Sequence, residues 1–139
     1  MTQEDKELLL KDLCARLPYG VKINNEIQGD FGIYGICENF VFGRNEVCHI
    51  DFDVEKIKPY LFPLSSMTEE QKRELRQMDA FISIFGDICF STYDDYGHEL
   101  MPTYEDAIRI TTWLLKNHFD FRGLIPKELA IDATGKNIY

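Results

Sequence analysis

The sequence lacks the segments that mark secreted and membrane proteins. Its N-terminus carries Glu4 and Asp5 where a signal peptide carries basic residues, and the apolar run that follows is only Leu8 to Leu10. No stretch approaches the roughly 20 apolar residues that a membrane helix needs. We therefore expect a cytosolic protein that does not enter a membrane.

Cysteines are few and are not arranged in pairs. The four cysteines include no CxxC motif. Without a secretory signal, this spacing favours reduced thiols over a disulfide framework. Each cysteine has apolar neighbours in sequence, so we expect small buried hydrophobic residues rather than nucleophiles or metal ligands. These cysteines are Cys14, Cys37, Cys48 and Cys89.

Basic residues are scarce and unevenly distributed. The chain has 15 Lys and Arg against 24 Asp and Glu, a formal charge of −9. This charge repels a phosphate backbone at long range, so direct binding of nucleic acid is not expected. Between Arg76 and Arg109 there is no Lys or Arg, although several acidic residues occur there. This segment has the most one-sided charge in the chain.

The common catalytic motifs are also missing. The sequence contains no GxxxxGK[ST] or GxGxxG phosphate-binding loop, no GxSxG nucleophile elbow and no HExxH zinc motif. We therefore predict a protein that uses no cofactor and lean towards a function other than catalysis.

What is present is the composition of an ordinary globular protein. The chain has 139 residues, of which 45% are hydrophobic and 28% charged. This length favours a single domain, residues 1–139, large enough to bury a core without disulfides or metals.

Three segments have the sequence signature of a helix N-terminus, a threonine followed three residues later by Asp or Gln. They predict a helix over residues 3–16, a second from Thr68 to about Phe85, and a third from Thr103 to about Lys116. The third carries the only tryptophan and a wide apolar stripe. We expect it to be the central packing element, covered from two sides.

Strand patterns fill much of the remaining sequence. Alternating apolar residues predict a strand near residues 21–27, one or two strands over 31–42, and a hairpin that returns over 47–52. Pro59 and Pro63 make residues 53–67 too interrupted for a central strand, so a surface crossing is expected. Residues 87–93 predict a short strand followed by an exposed loop to Met101, and Pro126–Leu129 a short helix before a loose tail. The fold class is α+β, an antiparallel sheet of three to five strands with about three main helices packed on it.

Three blocks of sequence together resemble a group of small proteins carried by phages and prophages of gut bacteria. The blocks are KELLLKDLCARLPYGVK at residues 6–22, KPYLFPLSSMTEEQKREL at 58–75 and WLLKNHFDFRGLIPKELAIDA at 113–133. The resemblance implies a cytosolic protein of a mobile element. It assigns no catalytic residue, because the function of the group is not established.

One candidate metal set lies on the strand that begins near Val47. His49, Asp51 and Asp53 are spaced by two, so they project from one face of a strand and offer ligands for a divalent cation. The alternative is that they form the solvent-facing side of a strand whose other side is buried. A metal-dependent hydrolase that uses these three residues is therefore an alternative function.

The segment without basic residues carries aromatic side chains among its acids, a combination suited to protein recognition. The leading hypothesis is a non-enzymatic accessory protein that binds a host or phage protein there. A solvated acidic loop and a structural or assembly role are the alternatives. The candidate partner-binding residues are Tyr93, Asp94, Asp95, Tyr96 and Glu99.

Overall fold

The computed structural model describes residues 1–90, 96–98 and 103–139. Within these ranges there are three α-helices, and none is long and apolar enough to cross a membrane. The helices are α1 (Gln3–Arg16), α2 (Glu69–Gln77) and α3 (Tyr104–Lys116). The strands are β1 (Lys22–Asn25), β2 (Gly29–Cys37), β3 (Phe40–Arg44), β4 (His49–Asp53), β5 (Lys58–Pro63), β6 (Ala80–Ile82), β7 (Ile88–Phe90), β8 (Phe119–Asp120) and β9 (Ile131–Asp132).

Each helix begins at the threonine predicted from the sequence. The Thr2 hydroxyl accepts a hydrogen bond from the backbone N–H of Asp5. Thr68 and Thr103 form full capping boxes, in which the residue three positions later returns a side-chain hydrogen bond to the threonine N–H. These bonds satisfy N–H groups that have no partner inside the helix.

The larger sheet has seven strands and is mixed. Its order is β4–β3–β2–β1–β5–β8, and β9 also pairs with β5. The pairs from β4 to β5 are antiparallel, whereas β8 and β9 run parallel to β5. The α+β class is confirmed, but the predicted antiparallel sheet of three to five strands is too small and omits the parallel part. A separate hairpin is formed by β6 and β7.

Strand β5 contradicts the expected surface crossing. Its two prolines do not interrupt the hydrogen bonds of the residues between them: Phe62 N–H donates to the carbonyl of His118, and the Leu61 carbonyl accepts from Ala133 N–H. Pro59 lies opposite Ile23 of β1, and Pro63 is the last residue of the strand. Because its prolines occupy only the second and the last position, β5 still pairs with other strands along both of its edges.

Helix α2 is shorter than predicted. It ends at Gln77, and Asp79 adopts a positive φ of 59° that turns the chain into β6. The apolar residues Phe81 and Ile82, which suggested a longer helix, belong to β6 instead. Strand β7 lies within the predicted strand 87–93, whose last three residues are outside the described ranges.

Two hydrophobic clusters form the core. The larger one packs Leu9 and Leu13 of α1 against the sheet, and the smaller one joins α2, α3 and β8. Helix α3 belongs to the smaller cluster, so it is not the hub of the molecule. Tyr104 and Ile108, two residues of its apolar stripe, are exposed.

The cysteines are free, but they do not all behave as buried hydrophobic residues. Cys14 and Cys37 are exposed, and Cys48 and Cys89 are half-buried. Cys14 is exposed because the buried face of α1 is built from Leu9, Leu13 and two charged residues described below.

The C-terminal segment is ordered against the sheet rather than loose. Residues 126–129, where a short helix was predicted, form turns. The hydroxyl of Tyr139 accepts a hydrogen bond from Lys22 N–H of β1 at 3.0 Å and donates one to the Tyr60 carbonyl of β5 at 2.8 Å. The last side chain therefore bridges two neighbouring strands.

Candidate functional site

The three predicted metal ligands lie on β4, and the structure does not place them in a group that could hold a metal ion. His49 and Asp51 are exposed on β4, and Phe52 between Asp51 and Asp53 is buried, as a two-sided strand requires. Among residues 1–90, 96–98 and 103–139, no group of three or more His, Cys, Asp or Glu is placed to hold a metal ion. The pattern therefore describes the outer side of a sheet.

The residues opposite them on β3 explain why no metal-binding group forms. Strand β3 places Arg44 opposite His49, Phe42 opposite Asp51 and Phe40 opposite Asp53, so the adjacent side chains are a cation and two aromatic rings. The Asp53 carboxylate accepts a hydrogen bond from the Glu55 N–H at 2.9 Å, which begins a short 3₁₀ turn. This carboxylate has a structural role.

The predicted partner-binding residues fall mostly on undescribed positions. Tyr93, Asp94, Asp95 and Glu99 lie outside the described residues. Tyr96 is described and is exposed. The same sequence segment nevertheless contains a surface that sequence reasoning did not identify.

This segment has several exposed large apolar side chains, and we call four of them, on the β6–β7 turn and on α3, the apolar rim. Two lie on the turn between β6 and β7, where Ile84 is 95% exposed and Phe85 84%. The others lie on α3, where Tyr104 is 84% and Ile108 52% exposed. Ile84 and Phe85 are consecutive, and Tyr104 and Ile108 are one helical turn apart on α3, so each pair forms a joint apolar surface.

The turn that carries Ile84 and Phe85 is held by hydrogen bonds. Ser83 N–H donates to the Asp87 carbonyl at 2.8 Å, and the Ser83 hydroxyl oxygen accepts from the N–H groups of Phe85 and Asp87, each at 3.2 Å. Gly86 closes the turn with a positive φ of 83°. The backbone is thus ordered while its two apolar side chains point into water.

A cavity of about 500 Å³ lies between this hairpin and α3. Its walls include Gly86 and Asp87 from the turn and Ala107 and Thr111 from α3. Each half of the apolar rim is therefore next to a lining residue in sequence. The volume falls within the roughly 300–1,000 Å³ typical of binding pockets. The apolar part of the lining comes mainly from Leu64, Ile88, Phe90, Ile110, Leu114 and Phe121.

The charges in the cavity are acidic. Asp87 lines its exposed part, and Asp120 lies deeper, 7% exposed, with its carboxylate accepting N–H bonds from Leu124 and Ile125 at 2.9 and 2.8 Å. The described residues that line the cavity include no Lys, Arg or His.

A second cluster, also missed by sequence reasoning, is buried under α1. Asp12 and Arg16 are both fully buried, and Arg16 Nε lies 2.6 Å from Asp12 Oδ2. Arg16 Nη2 also donates to the Phe119 carbonyl of β8 at 2.7 Å, and Arg122 Nε lies 3.6 Å from Asp12 Oδ1. Nη1 of each arginine is buried and makes no hydrogen bond within the part of the chain that the structure describes.

A sequence signal for this cluster does exist. Leu9, Asp12, Leu13 and Arg16 follow one another at spacings of three and one, which places all four on one helix face. Charged residues on an apolar stripe at a separation of four predict a buried ion pair. The cluster links α1 to β8 through the hydrogen bond from Arg16.

His118 lies beside this cluster, and its ring stacks on that of Tyr139. The rings of His118 and Tyr139 are 3.5 Å apart and inclined by 10°. Burial lowers the pKa of His118 from 6.5 to about 4, and the positive charges of Arg16 and Lys22 act in the same direction. Burial also raises the pKa of Tyr139 to about 12, so both rings are neutral at pH 7.

Comparison of the chain with models of known protein families, with curated proteins and with solved structures gives no match.

Proposed function

We propose that the protein is a non-enzymatic binding protein that recognises a partner protein through the apolar rim. The observation that carries the proposal is the ordered turn that holds Ile84 and Phe85 almost fully in water. Exposing them to solvent costs free energy that binding to an apolar partner surface recovers.

The order of the turn supports the same function. A flexible loop loses conformational entropy when it binds, and a loop already held by hydrogen bonds loses less. The setting we propose is that of an accessory protein of a phage or another mobile element, following the sequence resemblance. The metal-dependent hydrolase is the less favoured alternative, because His49, Asp51 and Asp53 lie beside aromatic rings and a cation.

The test compares two double variants that remove equally exposed apolar side chains. Ile84→Ser/Phe85→Ser alters the apolar rim, and Ile27→Ser/Val47→Ser alters two other turns whose side chains are both 89% exposed. Each protein is immobilised and exposed to lysate of the source organism, and the retained proteins are identified by mass spectrometry.

We expect one retained protein to be lost in the rim variant and kept in the control variant. The free energy of unfolding should change by no more than about 0.5 kcal/mol in either, because the replaced side chains are exposed. Retention of the same proteins by all three forms would contradict the proposal.

A further inference from the structure

The cavity beside the apolar rim is larger than a packing defect. Its volume of about 500 Å³ is several times that of the cavity left by one truncated core residue, and its lining is mostly apolar. Its lining includes residues of the β6–β7 turn and of α3, the two elements that carry rim residues. A partner that covers the rim is therefore positioned to place side chains into the cavity.

The charge of the lining selects the chemistry of that partner. Asp87 and Asp120 contribute carboxylates, and none of the described residues that line the cavity is basic. Five of the lining residues belong to the sequence segment between Arg76 and Arg109, which has no Lys or Arg. Like charges repel across an interface, so an acidic segment is disfavoured and a basic one is attracted.

We propose that the cavity receives large apolar side chains from a basic amphipathic segment of the partner protein. This inference rests on the proposed function and adds the kind of segment that is recognised. The apolar side chains fill the space lined by Phe90, Ile110 and Leu114, and a Lys or Arg of the segment lies near Asp87. Lining residues on α3 and on the hairpin then contact the same segment.

The first experiment uses synthetic peptides as probes. A short fluorescein-labelled peptide of Leu and Lys in a helical amphipathic pattern is titrated with the protein and followed by fluorescence anisotropy. Two further peptides replace its Lys with Glu or its Leu with Ser. We expect binding of the Leu/Lys peptide only, with affinity that falls as salt concentration rises and falls in Asp87→Asn.

Cavity-filling variants separate this binding from general attraction to an acidic protein. Ala107→Phe and Thr111→Phe each place a ring in the cavity without changing the charge, whereas Thr112→Phe adds the same ring on α3 at a residue that does not line it. We expect the first two to weaken binding of the Leu/Lys peptide by at least about tenfold, and Thr112→Phe to retain it. Thermal unfolding followed by circular dichroism identifies any variant that does not fold, and the two filling variants serve as independent checks.

Several outcomes would overturn the inference: no binding of the Leu/Lys peptide, equal binding of the Glu peptide, or equal binding by all variants. Self-association that is lost in Ala107→Phe would also overturn it, since the occupant would then be a second copy of the chain. In the lysate experiment, a partner lost in Ile84→Ser/Phe85→Ser but kept by both filling variants would refute the cavity inference alone. A partner kept by every variant would refute the proposed function as well.

Discussion

At the scale of single residues, the most consequential contact is the ion pair of Asp12 and Arg16. Both side chains are fully buried, so neither charge reaches water if its partner is removed. We expect Asp12→Ala to lower the free energy of unfolding by about 3–5 kcal/mol, because it leaves Arg16 as a buried charge without a counterion. Urea denaturation measures the loss.

Two controls separate the cost of an unpaired buried charge from the cost of losing an ion pair. In Asp12→Leu/Arg16→Met both charges are replaced by apolar groups, and the loss should be smaller than in Asp12→Ala. Glu69→Ala breaks the exposed pair with Lys72 and should cost no more than about 1 kcal/mol. A cost as small as this for Asp12→Ala would mean that the buried pair contributes no more than a surface pair.

His118 makes stability depend on pH. Its folded pKa of about 4 is below the usual 6.5, so between these values the unfolded chain binds a proton that the folded chain does not. Stability is therefore lost as pH falls from about 6.5 to about 4. We expect His118→Asn, which has no proton to bind and tolerates the positive φ of 59° at this position, to lose less stability over this range.

Acidic residues also titrate near the lower end of this range, so the informative quantity is the difference between two denaturation series. The matched control is His49→Asn, the same substitution at an exposed histidine. Parallel profiles for wild type and His118→Asn would show that His118 is not the residue responsible.

Single residues also show where sequence reasoning fails. The capping threonines were predictable because their partners lie three residues away. Asp12 and Arg16 were not recognised, because charged residues on a helix are usually assigned to its solvent side and their burial depends on β8, about 100 residues later in the chain. The local pattern places Asp12 and Arg16 on the apolar stripe of α1 but does not identify the distant strand that covers them.

At the scale of elements, the C-terminal segment acts as an additional connection within the sheet. The Tyr139 hydroxyl is bonded to Lys22 N–H of β1 and to the Tyr60 carbonyl of β5. We expect Tyr139→Phe to lower the free energy of unfolding by about 1–3 kcal/mol, because two backbone groups lose their partner. Amide hydrogen exchange at Lys22 should become faster.

The control is Tyr104→Phe, which removes the hydroxyl of an exposed tyrosine on α3 and should change stability by no more than about 0.5 kcal/mol. Unchanged exchange at Lys22 in Tyr139→Phe would contradict the bridging role of the hydroxyl.

The elements that were predicted incorrectly depend on pairing between distant segments. Strand β5 was rejected because of its prolines, yet the Phe62 N–H and the Leu61 carbonyl between them form hydrogen bonds to His118 and Ala133. Strand β6 was assigned to a helix because Phe81 and Ile82 continue an apolar run after α2. A short apolar run does not distinguish helix from strand until its partner is known.

At the scale of the whole molecule, the two hydrophobic clusters differ in what they support. The larger cluster lies under α1 and the long antiparallel strands, whereas the smaller one supports the β6–β7 hairpin, whose residues other than Ala80 are exposed or half-buried. Two strands of three residues are marginal on their own. We expect the amides of β6 and β7 to exchange with solvent faster than those of β2 and β3, measured by hydrogen exchange with mass spectrometry.

The peptide titration provides the control. Exchange in β6 and β7 should slow when the Leu/Lys peptide is bound, with β2 and β3 unchanged. Equal exchange in both pairs of strands would show that the two clusters open together as one unit.

The hydrogen bond from Arg16 to the Phe119 carbonyl also constrains the order of folding. It joins residues 103 positions apart, so helix α1 can form early from local contacts but cannot bury its charged face until β8 is in place. During synthesis α1 leaves the ribosome before β8 and must keep Arg16 hydrated until β8 has emerged. Final docking of α1 is therefore a late event that waits for a strand synthesised about 100 residues after it.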